Sequence, residues 1–178
     1  MYGLTFTKGK IENLFYRFFI NLRFKIRLVV SVCKIVAVGQ ADAEETALQW
    51  ASEHGIVTCR NTSTAFTWPQ RLTGREVSRR TAWLLENVLQ SEGTLLLTVN
   101  FPLGPEQKRA IEFLGANQKP FLHIWSAVPQ AGLLARRFLE SHAVKILNVV
   151  GSSRDTGKSI EVFARSVFEA LLISSNHV

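Results

Sequence analysis

Lys34-Ile35-Val36-Ala37-Val38-Gly39-Gln40-Ala41-Asp42-Ala43-Glu44-Glu45-Thr46-Ala47-Leu48 decides the fold. It reads as a buried strand, a one-glycine turn and a helix whose first turn is acidic. That is how a nucleotide-type α/β domain opens. A glycine after the first strand lets a ligand approach the backbone, so Gly39 and Gln40 are candidate binding residues. The acids Asp42, Glu44 and Glu45 complement the positive end of the helix dipole and are expected to cap it. The same carboxylates would repel a phosphate unless a metal or a base edge faced them.

Downstream, apolar runs and helical patterns alternate. Strands are expected at 34–39, 56–59, 94–100, 121–125 and 145–150, and helices at 42–54, 74–91, 105–117, 129–141 and 158–173. Pro105 and Pro129 suit the first turn of their helices, and Gly55 and Gly93 suit helix C-termini. Continuously apolar strands point to a mainly parallel sheet covered on both faces. The expected fold is therefore α/β, a Rossmann-like, doubly wound open sheet with helices on both faces. In such sheets ligands bind beyond the carboxyl ends of the strands, here the loops 39–42, 60–73, 100–105 and 151–158.

Charge is distributed unevenly. Lys8, Lys10, Arg17, Arg23, Lys25, Arg27 and Lys34 stand against Glu12 alone, so the first 34 residues hold nearly all of the net +7. The pI of 9.9 describes an extension, not the domain, and does not argue for general nucleic-acid binding. Leu22-Arg23-Phe24-Lys25-Ile26-Arg27-Leu28 alternates strictly, as a half-exposed strand with a basic face would. Residues 1–33 read as a basic, aromatic extension: an added structural element, a surface tail with weak affinity for nucleic acid or membrane, or sequence upstream of the true start. Residues 34–173 read as the domain and 174–178 as a tail. No 18-residue window is free of charge, which argues against a membrane span. Cys33 and Cys59 form no CxxC and have no histidine at metal spacing, so free thiols and a cytoplasmic setting are expected.

Gly151-Ser152-Ser153-Arg154-Asp155-Thr156-Gly157-Lys158-Ser159 resembles a phosphate-binding P-loop, but five residues rather than four separate its glycine from Gly-Lys-Ser. The simpler expectation is an anion held at a strand-to-helix turn by Gly151, Ser152, Ser153 and Arg154. The competing reading has Ser153 or Thr156 capping the helix and Lys158 solvated. Arg75, Arg79 and Arg80 could reach an anionic ligand or pair with Glu76 and face water, and a charge run favours the solvated face. His123 reads as a core residue within an apolar strand, as do Trp50, Trp83 and Trp125; Trp68, in the long loop, could stack on a base. No catalytic constellation is present in the sequence, so an enzyme is not expected.

With these residues in place, the chain over roughly 34–173 resembles the circularly permuted YpsA-like branch of the SLOG superfamily, whose members are named molybdenum cofactor carriers. The family opens Gly-Gly-Gln-Thr-Gly-x-Asp-Arg-x-x-Leu; here Gly39, Gln40 and Leu48 are kept, and Glu44-Glu45 stands for Asp-Arg. Arg80-Thr81, then Asn87-Val88-Leu89-Gln90-Ser91-Glu92-Gly93-Thr94-Leu95, matches its Arg-Thr and Asn-Val-x-Asp-Ser-Asp-Gly-Thr-Leu. Lys119-Pro120 and Leu147-Asn148-Val149-Val150-Gly151 match two further motifs. The departures fall on ligand loops: Pro105-Glu106-Gln107 stands where the family has Gly-Gly-Thr, its Trp-Cys-Pro-x-Gly-Arg is absent from 60–73, and Ser152-Ser153-Arg154 replaces its Pro-Arg/Glu-x-Ser.

The resemblance implies a cofactor-binding set of Gly39, Gln40, Glu44, Arg80, Thr81, Asn87, Gly104, Gly151, Ser152, Ser153 and Arg154. It implies a phosphorylated nucleotide derivative or the molybdenum cofactor as ligand, held without catalysis by a homo-oligomer. One alternative is a degenerate SLOG domain used for protein contacts or oligomerisation. A weaker one is a nucleotide phosphoribohydrolase-like enzyme.

Overall fold

The computed structural model describes residues 32–60, 79–152, 155 and 157–172. Five strands and five helices alternate along the chain: β1 Lys34–Ala37, α1 Asp42–Glu53, β2 Val57–Arg60, α2 Arg79–Gln90, β3 Gly93–Thr98, α3 Pro105–Ala116, β4 Phe121–Trp125, α4 Ala131–Ser141, β5 Ile146–Gly151 and α5 Lys158–Glu169. All four strand pairings are parallel, in the spatial order β2-β1-β5-β3-β4. The doubly wound, Rossmann-like expectation holds. The expected helix from residue 74 is seen from Arg79 on, residues 61–78 lying outside the described set.

The central strands are apolar on both sides because helices cover both sides. Every residue of β3 is buried. On one face α1, α4 and α5 pack over Ile35, Ala37, Leu95, Leu97, Leu147 and Val149 with Trp50, Leu139, Ile160 and Phe168. On the other, α2 and α3 place Leu84, Val88 and Leu114 on Val38, Leu96 and Val150. Burying one such side chain contributes about 1.5–3 kcal/mol, so these two layers carry the stability against chain entropy. The edge strands depart from the continuous burial expected: β2 has three exposed residues and β4 only one that is buried, Ile124. No helix among the described residues is long and apolar enough to cross a membrane.

Helix boundaries follow local chemistry. Pro105 sits in the first turn of α3 behind Gly104 at the N-cap. Gly55, at φ +70°, ends α1 in the left-handed conformation that glycine adopts without strain. Two expectations fail. Pro129 precedes α4 rather than opening it, since Gln130 is the N-cap. Gly93 is no helix terminus; it begins β3, where a side chain would run into Val144 Cγ2. His123 is not a core residue either. It lies half-buried on the edge strand, with Nε2 2.8 Å from Thr98 Oγ1 and its ring beside Phe101 and Trp125. Desolvation lowers its pKa.

Candidate strand-end site

The chain moves outward from β1 to β2 on one side and from β3 to β4 on the other, with β5 between them. The switch point is therefore above β1, β5 and β3, where a crevice in an open α/β sheet is expected. Three loops meet there, and the described side chains between them are dominated by one buried carboxylate.

Glu44 is fully buried. As the third residue of α1 it reaches back over the helix end, the reciprocal half of a capping box, to the Ala41 N–H at 3.4 Å. Ala41 itself offers no side-chain cap. The Glu44 carboxylate accepts also from the N–H of Gln40 at 3.1 Å and of Gly151 at 3.1 Å. Arg80 Nη2 donates to it at 2.8 Å, with Nη1 at 3.4 Å from the second oxygen. Burying a carboxylate costs several kcal/mol unless it is paired and hydrogen-bonded, and this one is both.

Arg80 is the opposite of the solvated residue expected from its basic run. Its side chain is 10 % exposed, lies between Glu44 and Glu106, and donates Nε to Glu106 at 3.0 Å. It also places Nη1 3.4 Å from Gln40 Oε1. Residue 80 starts the first turn of a helix running back across the sheet, so its side chain hangs over the strand ends. No count of charges along the sequence could locate it there.

The glycines are there for close packing. A Cβ on Gly151 would sit 2.8 Å from Ala41 Cβ, and one on Gly104 would meet Gln107 Oε1 at 2.7 Å. Gly39 takes φ +73°, and Arg60 fills the space beside it, donating to the Gly39 carbonyl at 3.0 Å and to Glu45 at 2.5 Å. Gln107, buried, donates to the Gly151 carbonyl at 2.9 Å. Asp42 accepts from the Gly157 N–H at 2.7 Å, tying α1 to the turn before α5. Gly157, at φ +92°, is the N-cap of α5, and Ser153 and Thr156, the expected capping residues, lie outside the described set. Asp155 accepts from the Val99 N–H at 2.7 Å.

The structure thus gathers Gly39, Gln40, Glu44, Arg80, Gly104, Gly151 and Ser152 around one crevice. Thr81 is buried in the turn of α2 beside Arg80. Ser153, Arg154, Arg75 and Trp68 lie outside the described residues. Asn87 does not belong to the crevice. Seven residues along α2 from Arg80 set it about 10 Å down the helix axis. It is buried in the sheet-facing layer, and neither amide atom has a hydrogen-bond partner among the described residues. Sequence reasoning missed Glu106, Gln107, Arg60 and Asp155 as parts of the site. The Gly-Pro helix start at 104–105 was the available signal for the first two.

Chemically, three backbone N–H groups that could take a phosphate, those of Gln40, Ala41 and Gly151, already hold the protein's own Glu44 carboxylate. Among the described residues, the two arginines that reach this region are both paired with acids, Arg60 with Glu45 and Arg80 with Glu44 and Glu106. Two surface clefts border these residues: one of about 650 Å³ between α1 and α5, reaching Asp42 and Glu45, and one of about 520 Å³ between α1 and β2, reaching Glu45 and Arg60.

No curated protein matches the chain. Among solved structures, a candidate molybdenum carrier protein from Syntrophus aciditrophicus SB superposes with a TM-score of 0.64 at 22% identity, over 81% of this chain and 97% of that one. At that identity the likeness is one of fold. The model of the circularly permutated YpsA SLOG family matches residues 35–172, the whole alternating domain with its strand-end loops, and the chain belongs to that family.

Proposed function

We propose that this protein is a carrier-like, non-catalytic binding domain that holds a nucleotide- or pterin-like ligand at the strand-end crevice, oriented by its heterocycle rather than by its phosphates. The observation that carries the reading is the donor–acceptor balance of the crevice. Among the described residues, the Gln40, Ala41 and Gly151 N–H groups and Arg80 are taken up by Glu44 and Glu106, while acceptor oxygens remain at its mouth. Arg80 engages only one oxygen of Glu106, whose side chain is 29% exposed. Among the described residues the other oxygen has no partner, and it suits the amino and lactam N–H edge of a guanine or pterin ring. Family membership and the molybdenum-carrier name of the Syntrophus protein support a ligand of this class.

A second reading is favoured by the same Glu44. A crevice whose donors are satisfied internally needs no ligand to be stable, which suits a degenerate domain used for protein contacts or oligomerisation. A thermal-shift screen of the full chain against molybdate, pterins, nucleosides and nucleotides separates the two. A ligand at 100 times its Kd adds about 2.7 kcal/mol of stability. The shift is expected for a pterin or guanine compound and lost in Glu106→Gln and Gln40→Ala. If no ligand moves the melt and sedimentation shows an oligomer, the second reading stands instead.

A further inference from the structure

Among the described residues β2 is an open edge of the sheet, and its two faces differ. Parallel pairing sets Thr58 opposite Ile35 and Arg60 opposite Ala37, so both lie on the α1 side; Val57 and Cys59 alternate to the other side. On the α1 side runs the 520 Å³ cleft lined by Glu45, Leu48, Gln49, Ser52, Glu53, Thr58 and Arg60. Helix α1 carries Asp42, Glu44, Glu45 and Glu53 and not one base. On the opposite side Val57 is 61% exposed, the apolar residue that most obviously lacks a cover on this edge. The edge is thus acidic on one face and apolar on the other.

Leu22–Leu28 is the complement. Its alternation puts Arg23, Lys25 and Arg27 on one side and Leu22, Phe24, Ile26 and Leu28 on the other. We propose that residues 22–28 pair antiparallel with the free edge of β2 as a sixth strand, basic side toward α1 and apolar side over Val57 and Cys59. Reach selects this edge. The described chain starts at Val32, buried below β1, and Cys33 already accepts from the Val57 N–H at 3.2 Å. The four steps from Leu28 to Val32 span at most about 13–14 Å. A strand beyond β2 lies two spacings from β1, about 10 Å; one beyond β4 lies four away, about 19 Å, and is out of range. The short connection also sets the direction, because it can only turn the chain back. Arg60 pairs with Glu45, but both are about half exposed, and such a pair leaves room for a second cation. This inference does not depend on the ligand reading.

The test uses the full chain with Cys33→Ser, leaving Cys59 as the native thiol. Single substitutions Leu22→Cys, Phe24→Cys, Ile26→Cys and Leu28→Cys are compared with Arg23→Cys, Lys25→Cys and Arg27→Cys under mild oxidation. A disulfide needs Cβ atoms within about 3.5–4.5 Å, so one of the apolar set is expected to link to Cys59 within the monomer at least about tenfold faster than any of the basic set. In parallel, the Thr58 and Arg60 amides, which point away from β1, are expected to exchange slowly with deuterium, and Phe24→Pro to restore fast exchange. Equal rates in the two sets, links only between molecules, or fast exchange of both amides in the unmodified chain would each overturn the proposal. So would salt-sensitive sedimentation with anionic phosphatidylglycerol vesicles in the absence of any link, since the basic face would then serve a lipid surface.

Discussion

Glu44 and Asn87 make a useful pair. Both are polar and fully buried, both face the sheet, and both occupy positions that a family motif picks out. Glu44 sits at the strand ends, where loop N–H groups and Arg80 converge on its carboxylate. Asn87 sits two turns down α2, between helix and strands, with neither amide atom partnered among the described residues. Equal burial therefore means opposite energetics. A buried charge with a full set of donors rigidifies its surroundings and is costly to break, whereas a buried amide without partners costs stability as it stands.

The largest effect is expected from breaking the first. Arg80→Met leaves Glu44 charged and buried without its cation, a loss of about 3–5 kcal/mol. For a domain of this size that lowers the melting temperature by roughly 10 °C or more. Glu44→Gln added to Arg80→Met keeps an acceptor for the loop N–H groups and removes the charge, so the double variant should recover about 0.5–3 kcal/mol. Equal losses in single and double variants would mean that the lock is held by packing rather than by charge.

Gly151→Ala probes the same region sterically. The new methyl would stand 2.8 Å from Ala41 Cβ, in backbone that cannot retreat, and a loss of about 1–3 kcal/mol in denaturant unfolding is expected.

Asn87→Leu tests the other half of the comparison. Leucine has nearly the same shape and no polar atoms, so unfolding should show a gain of about 1 kcal/mol. A loss of that size would show that the amide is hydrogen-bonded in solution and is closer to Glu44 in kind than the comparison allows.

The smallest effect concerns a third polar residue, an exposed carboxylate. Glu92 accepts from the N–H groups of Lys145 at 2.6 Å and Ile146 at 3.1 Å, and those bonds lower its pKa below 4.5. Its charged form is favoured in the fold, so its contribution is present above the unfolded value and is lost as pH falls through the folded one. Glu92→Gln should be less stable than the native chain at pH 7, and the deficit should shrink as pH is lowered through the acid range.

The alternation of strands and helices was legible because periodicity is local: β3 and β5 carry the runs Leu95–Leu97 and Val149–Val150 without polar alternation, as doubly covered strands do, and Gly39 and Pro105 mark their turns correctly. The crevice was half legible. Gly39, Gln40, Gly151 and the acids of α1 were visible as a strand–turn–helix pattern. Arg80 was singled out only by the family motif, because Arg75, Arg79 and Arg80 form a charge run, and a run does not say which member hangs over a strand end. His123 was misread because an apolar strand looks the same at a sheet edge as at its centre.

By itself, then, the sequence determined the order of elements, the parallel sheet and the place where loops would meet. These follow from side-chain periods, glycine and proline geometry, and the handedness of crossovers. Only the tertiary structure decided what fills that meeting place. Glu44 and Arg80 are 36 residues apart, and Glu44 and Gly151 are 107 apart. Whether a carboxylate serves as a helix cap in water or as the anion that closes a crevice depends on which donors the fold brings to it.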